Sequence, residues 1–261
     1  MVLLTKTKKS FIWCGSPLLL LGLGMGVLQW FQWNEPLFYV LNRLPWPILW
    51  SNVTELGDGL ILGVLLFPFL RRYPQVLTAF LLGILFNTLI VQGLKSYLSY
   101  PRPAGVLDPS TFRVLGPLLT ARAFPSGHAA TGFLVAGILA YFFRGGIRVA
   151  VFLGATVIAI SRIAVGAHWP QDVLAGALIG WAVGCTMAFW ISVRQWFPQH
   201  ARGLLWLGAV YFLAGLVTIV WYPQQYPGTV VTHLLLPLIA WGWGSWQLVQ
   251  IARNPHCDGG R

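Results

Sequence analysis

The stretch SRIAVGAHWPQD places Ser161, Arg162, His168 and Asp172 close together, and PSGH adds Ser126, Gly127 and His128 at the mouth of an apolar run. Lys95 and Arg102 stand seven residues apart in KSYLSYPRP. That is about two helical turns, so a continuous helix would turn both to one side before Pro101 and Pro103 end it. Ser126 is of the residue type that caps a helix N-terminus, and Pro170 is suited to a first helical position. A helix N-terminus offers backbone N–H groups to an anion, and Gly127 lets that anion approach the backbone. Lys95, Arg102 and Arg162 add donors that suit phosphate oxygens. One histidine can attack phosphorus while a carboxylate on its far ring nitrogen fixes the tautomer. The second can protonate the departing oxygen. Each residue alone has a plainer use. Lys95 can snorkel, Arg102 and Arg162 can anchor headgroups, Ser126 can simply cap, His168 beside Trp169 can sit at an interface, and Asp172 can complement a helix dipole. The set argues for more if all its members lie on one side of the chain's fold.

The elements that must position them are apolar. The 261 residues are 57% hydrophobic and 9% charged, with 14 Trp, more apolar surface than one soluble core buries. Apolar runs fall near 11–31, 54–70, 75–99, 126–143, 147–166, 171–193, 203–222 and 229–251, which predicts eight spans. The first follows Lys6, Lys8 and Lys9 and lacks a small-x-small cleavage signal, so it is expected to be a retained helix. Residues 35–50, broken by Pro45 and Pro47, are expected along the membrane interface. These runs are too long and too unalternating for barrel strands, so the fold class is all-α, a polytopic membrane helix bundle. No internal repeat, low-complexity tract or soluble domain interrupts it.

The net charge of +11 comes from 17 basic residues scattered between apolar runs, a pattern that excludes a nucleic-acid stripe. With the N-terminus cytoplasmic and eight alternating spans, the inside segments hold Lys6, Lys8, Lys9, Arg71, Arg72, Arg144, Arg148, Arg194, Arg202, Arg253 and Arg261. The outside holds Arg43, Lys95, Arg102, Arg113, Arg122 and Arg162. The positive-inside rule favours this orientation, with both termini cytoplasmic and the polar clusters on the outer, periplasmic side of a plasma (inner) membrane. Cys14 and Cys185 read as packing residues and Cys257 as a tail residue, with no metal-ligand spacing among them.

KSYLSYPRP, PSGH and SRIAVGAHWPQD together resemble the three motifs of the type 2 phosphatidic acid phosphatase (PAP2) family, K-x6-RP, PSGH and SR-x5-H-x3-D, and every specified position agrees. The resemblance spans roughly residues 50–195 and implies a six-helix core (1–195), leaving two additional transmembrane helices and a short cytoplasmic tail in 196–261. It implies a membrane lipid phosphatase without a metal or other cofactor. Lys95, Arg102 and Arg162 would hold phosphate oxygens, aided by Ser126 and Gly127. His128 would be the general acid, and His168 the nucleophile that forms a phosphohistidine, oriented by Asp172. The implied substrate is a phospholipid or isoprenyl (di)phosphate: phosphatidic acid, phosphatidylglycerol phosphate, undecaprenyl diphosphate or a lipid A phosphate. A phosphotransferase using the same phosphohistidine stays open, as does a non-enzymatic membrane protein, against which every catalytic position is present.

Other features carry expectations of their own. LGLGMG at 21–26 is read as close helix packing. Glu55 and Asp58 are read as first-turn acids. Arg113 and Arg122 are available to a second phosphate or to lipid headgroups alike. His200, His233 and His256 receive no role.

Overall fold

The computed structural model describes residues 2–254, with side chains from residue 14 onward, so the side chains of Lys6, Lys8 and Lys9 and all of His256, Cys257 and Arg261 lie outside it. Among the described residues every regular element is helical: α1 (Val2–Trp30), α2 (Asn34–Asn42), α3 (Pro47–Glu55), α4 (Gly59–Leu66), α5 (Pro74–Leu98), α6 (Gly127–Phe142), α7 (Gly146–Ala164), α8 (Pro170–Arg194), α9 (Ala201–Val220) and α10 (Leu236–Arg253). A π-helical turn, Val231–Leu235, leads into α10.

Four of these, α5, α7, α8 and α9, are long and apolar enough to cross a membrane, or six spans if two bent pairs each count as one. The chain is a multi-pass membrane helix bundle. Of the eight expected spans, α6, short at 16 residues, and α10, whose apolar run carries Ser245, Gln247 and Gln250, fall outside those that length and composition alone pick out among the described residues. The run expected at 54–70 is also two helices. The axis turns by 69° between Pro47–Glu55 and Gly59–Phe69, and Asp58 restarts the helix by accepting from Leu60 N and Ile61 N at 2.8 and 3.3 Å. Neither acid lies in a first turn as expected: Asp58 is the N-cap of α4, and Glu55 ends α3 and is buried. Residues 34–42 do not simply trail away from α1. They turn back by 108° and bury Phe38 and Asn42 against α7 and α8.

The centre of the bundle is α6, packed against α5, α7 and α8. Its tightest partner is α8. A Cβ on Gly176, Gly180 or Gly184 would collide with the carbonyl oxygens of Ser126, Ala130 and Leu134 respectively, and one on Gly137 would come within 2.9 Å of the Trp181 carbonyl. This glycine face, at a spacing of four, brings the two backbones into direct contact. The LGLGMG segment behaves differently. A Cβ would meet nothing within 4 Å at Gly22 or Gly26 and only Leu174 Cδ1 at 3.6 Å at Gly24, so the expected close packing is absent at Gly22 and Gly26, which lie on the exposed side of α1.

Chain ends and turns sort to two sides. Tyr73 packs on Phe143 at 5.0 Å between ring centroids, and Gln247 donates to Pro68 O while accepting from Arg71 N. The turns bearing Arg71, Arg72 and Arg144 and the C-terminal end of α10 thus share one end of the bundle. Helices α9 and α10 join the same apolar cluster as α5, α6 and α8, through Leu204, Leu207, Tyr211 and Ile251.

The contrast between the two glycine segments is directly testable. Gly180→Ala overpacks a backbone contact and is expected to cost about 1–3 kcal/mol, lowering the melting temperature in detergent by roughly 2–10 °C. Gly22→Ala, in open space, leaves it unchanged or raises it. Equal shifts in differential scanning fluorimetry would contradict the assigned packing.

Candidate active site

Three hydrogen bonds to backbone carbonyls draw the motif segments together. Ser126 N donates to Asp172 O at 2.8 Å, tying the start of α6 to the first turn of α8. Trp169 Nε1 donates to Pro101 O at 3.1 Å, tying the loop before α8 to the loop after α5. Arg102 N donates to Thr120 O at 2.9 Å, bringing the long connection 104–125 across the top. Each follows from local chemistry. Ser126 caps α6, its side chain accepting from Ala129 N at a long 3.5 Å, and Pro170 opens α8. Gly166 adopts φ +80°, where a Cβ would strike the Arg113 carbonyl. Only glycine fits that turn without strain.

His168 sits in this turn, 2% exposed. Its Nδ1 stands 3.5 Å from Asp172 Oδ2, within ion-pair reach but without hydrogen-bond geometry. Its Nε2 lies 3.3 Å from Arg102 Nη1. Asp172 is fully buried; its Oδ2 accepts from Trp169 N at 2.9 Å and its Oδ1 has no partner. Burial, then the charges of Arg102, Arg162, Lys95 and His128, holds the His168 imidazole well below its ordinary range.

The cations are held by backbone and hydroxyl oxygens. Lys95 Nζ donates to Arg122 O at 2.6 Å and Ala123 O at 3.4 Å. Arg102 donates through Nε to Ala121 O and through Nη1 to Ala167 O, both at 2.9 Å. Arg162 Nη1 donates to Thr54 Oγ1 at 2.5 Å and Tyr226 Oη at 2.7 Å, while its Nε is buried without a partner. Lys95 and Arg102 do converge, though not by sharing a helix. Ser99, left-handed at φ 47°, ends α5 at Leu98 before either proline, and Arg102 reaches inward from an extended segment.

Gly127 has no crowding at its Cβ position, with Val91 Cγ1 nearest at 3.9 Å. His128 and Gly127 line a cavity of about 420 Å³ between α4, α5, α6 and α9, whose other walls include Phe80, Ile84, Asn87 and Val210. Gly57 lies against His128, where an added Cβ would fall 2.8 Å from His128 Cβ. Among the described residues no three His, Cys, Asp or Glu side chains group as a metal site.

The structure thus brings together every residue singled out from the sequence: Lys95, Arg102, Ser126, Gly127, His128, Arg162, His168 and Asp172. It does not bring in Arg113, whose Nη1 donates to Leu44 O at 2.6 Å in a structural clamp rather than standing available. Arg122 is exposed, in a left-handed conformation at φ 57°. Three supporting residues carry no signal in their own segments: Thr54, Tyr226, and Asn42. Asn42 donates to the carbonyls of Arg113, Ile163 and Ala164 and accepts from Arg113 N.

Comparison with known proteins gives the family of the chain. The model of the PAP2 superfamily matches residues 76–197. The crystal structure of Aquifex aeolicus LpxE resembles the chain with a TM-score of 0.54 and 35% identity, over 59% of this chain and 93% of that one. The chain belongs to the PAP2 superfamily. It is similar to phosphatidylglycerophosphatase B of Escherichia coli (strain K12), 39% identical over 90 residues, which is 33% of each protein. It is also similar to lipid A 1-phosphatase of Porphyromonas gingivalis, 43% identical over 80 residues, 28% of this chain and 17% of the relative. The matched stretches thus span a third or less of these curated relatives. A Bacillus subtilis PAP2-type phosphatidylglycerolphosphate phosphatase shares the fold, with a TM-score of 0.52 at 21% identity.

Three buried cations facing one carboxylate form a site short of negative charge. Inorganic phosphate is expected to raise the melting temperature, by the equivalent of about 2.7 kcal/mol at a hundredfold excess over its Kd, whereas chloride at equal ionic strength does not. Arg102→Gln is expected to lose most of that shift; a phosphate response unchanged in the variant would refute the assignment.

Proposed function

We propose that the chain is a membrane lipid phosphatase that removes a phosphomonoester or terminal diphosphate phosphate from a lipid through a phosphohistidine on His168. The observation that carries the reading is the buried imidazole whose Nδ1 faces Asp172 and whose Nε2 faces the cationic side of the site. Lys95, Arg102 and Arg162 bind the phosphate oxygens, with Ser126 and the N-terminus of α6 at Gly127 supplying further donors. Nε2 of His168 attacks phosphorus as the bond to the lipid oxygen breaks. His128 gives that oxygen its proton, and Asp172 stabilises the charge on the far ring nitrogen. Water then attacks phosphorus, His128 takes up a water proton, and the P–N bond breaks to release phosphate and free His168. Phosphoryl transfer asks mainly for positioning and charge stabilisation, which this set of groups supplies.

A membrane lipid substrate fits both the names of the relatives and the cavity. His128 is the point where the catalytic residues meet an apolar cavity walled by membrane helices, so a lipid can present its phosphate with its tail still in the bilayer. Phosphatidic acid, phosphatidylglycerol phosphate, undecaprenyl diphosphate and lipid A are the candidates. We place the site on the outer, periplasmic face with both termini cytoplasmic, supported by the gathering of Arg71, Arg72 and Arg144 at the opposite end. Reporter fusions to the 104–125 connection and to the C-terminus test that orientation.

The decisive assay is phosphate release from these four lipids by detergent-purified protein in EDTA. Release from one of them, lost by a factor of 10³ or more in His168→Ala, is the expected result, on the scale seen when a catalytic nucleophile is removed. Wild-type rates in the variant would eliminate the mechanism, and release from none would favour a transferase lacking its acceptor.

The pH profile follows from the same environment. A depressed pKa keeps His168 unprotonated, and so nucleophilic, to pH values below the ordinary histidine value of about 6.5. Once corrected for the substrate's own ionisation near pH 6, the acid limb of kcat/KM is expected below 6.5. An acid limb at or above 6.5 would show that the free enzyme does not hold the ring neutral.

A further inference from the structure

The segment joining α9 to α10 lies beyond residues 76–197, yet it reaches the site. Tyr226 is 4% exposed, its hydroxyl accepts from Arg162 Nη1 at 2.7 Å, and its ring lies 5.7 Å from the Arg162 guanidinium carbon. The loop is built to keep it there. Gln224 Nε2 and Thr229 Oγ1 both donate to the Tyr226 carbonyl, at 2.8 and 2.9 Å. Gly116, at φ +79°, leaves room for the ring, since a Cβ there would come within 2.6 Å of it.

A polar seam fastens this loop to the break between α3 and α4. His233 lies 3.2 Å from Glu55 Oε2 through Nδ1 and 3.1 Å from Tyr222 O through Nε2. Tyr222 donates to Asp58 Oδ2 at 2.5 Å, and Asn52 Nδ2 donates to Gly228 O at 3.0 Å. The same break carries Thr54, the other hydroxyl on Arg162 Nη1. Two hydroxyls from opposite sides of the seam therefore converge on one guanidinium nitrogen, while Nε is left without a partner.

We infer that Tyr226 is a positioning residue for Arg162, by which the α9–α10 hairpin completes the phosphate site. Held by Nη1, the guanidinium is fixed in rotation, and its remaining N–H groups are aimed at the phosphate rather than free to turn. This inference rests on the phosphatase reading above.

The test is Tyr226→Phe, which keeps the ring against Gly116 and removes only the hydroxyl. Folding is checked by gel filtration and melting temperature. The expected result is a kcat lower by about tenfold, with KM near wild type. Inhibition by inorganic orthovanadate, whose five-coordinate form resembles the transferring phosphoryl group, is expected to weaken by a similar factor. In an Arg162→Lys background the same substitution is expected to add no further loss, because the group it positions is gone. Wild-type kinetics and orthovanadate inhibition in Tyr226→Phe, or a full tenfold loss persisting in the Arg162→Lys background, would overturn the inference while leaving the phosphatase reading intact. Should Tyr226→Phe not fold, Thr229→Val carries the test by loosening the clamp on the Tyr226 backbone, and unchanged kinetics there would overturn the inference equally. Wild-type protein that neither releases phosphate nor is stabilised by orthovanadate removes the phosphatase reading first and this inference with it.

Discussion

Helices α6 and α8 can approach until their backbones touch only because Gly176, Gly180 and Gly184 present no side chains to the α6 carbonyls. Almost everything chemical depends on that distance. The capped start of α6 carries Ser126, Gly127 and His128, and the first turn of α8 carries Asp172 beneath His168. The hydrogen bond from Ser126 N to Asp172 O is the top rung of this contact. In a membrane, where lipid tails are as apolar as leucine, close backbone packing of this kind is one of the few forces that sets the separation of two helices sharply. A bulkier α8 would still be an apolar helix, but its first turn, with Asp172, would stand farther from Ser126 at the start of α6.

Gathering Lys95, Arg102 and Arg162 around a single carboxylate is costly for the empty protein, since each charge leaves water and repels the others. The structure reduces that cost with dipoles rather than counter-ions. Carbonyls of Ala121, Arg122, Ala123 and Ala167 and the hydroxyls of Thr54 and Tyr226 accept from the three side chains. Neutral acceptors satisfy the donors without cancelling the charge, so the field that would favour an anion survives. Burial, reinforced by that field, holds the His168 imidazole well below its ordinary range. One arrangement therefore serves two needs, attraction for a phosphate and a free lone pair on the nitrogen that meets it.

The sequence made the reactive residues legible and left their supports hidden, and the reason is distance along the chain. Ser126 as a cap and Pro170 as a helix start are local facts, decided by neighbours a few residues away, and both hold. Arg102 shows where local reasoning stops. The spacing from Lys95 suggested a shared helix face, but Ser99 turns left-handed and the convergence is made by the fold of the 104–125 connection instead. Thr54 and Tyr226 meet Arg162 across 108 and 64 residues, and Asn42 meets Ile163 across 121. No periodicity or cap signal reports such pairs. Glu55 and His233 are similarly illegible, since a carboxylate near a helix end and a histidine near a helix start each have ordinary local uses until the fold sets them 3.2 Å apart.

The break between α3 and α4 shows why those hidden supports matter. A straight helix over 47–69 would have satisfied its own backbone within the membrane, the cheapest solution for such a segment. The chain instead bends by 69° and recaps with Asp58. The bend puts Gly57 against His128 closely enough to exclude a Cβ, sets Thr54 on Arg162, and offers Glu55 and Asp58 to the loop that holds Tyr226. A Gly57 side chain would push on the histidine itself, so the interruption is shaped around that residue. The irregular backbone is buried by protein on the side where it meets the site. That is where broken helices are tolerated at membrane depth, and there this one links the α9–α10 hairpin to both Arg162 and His128.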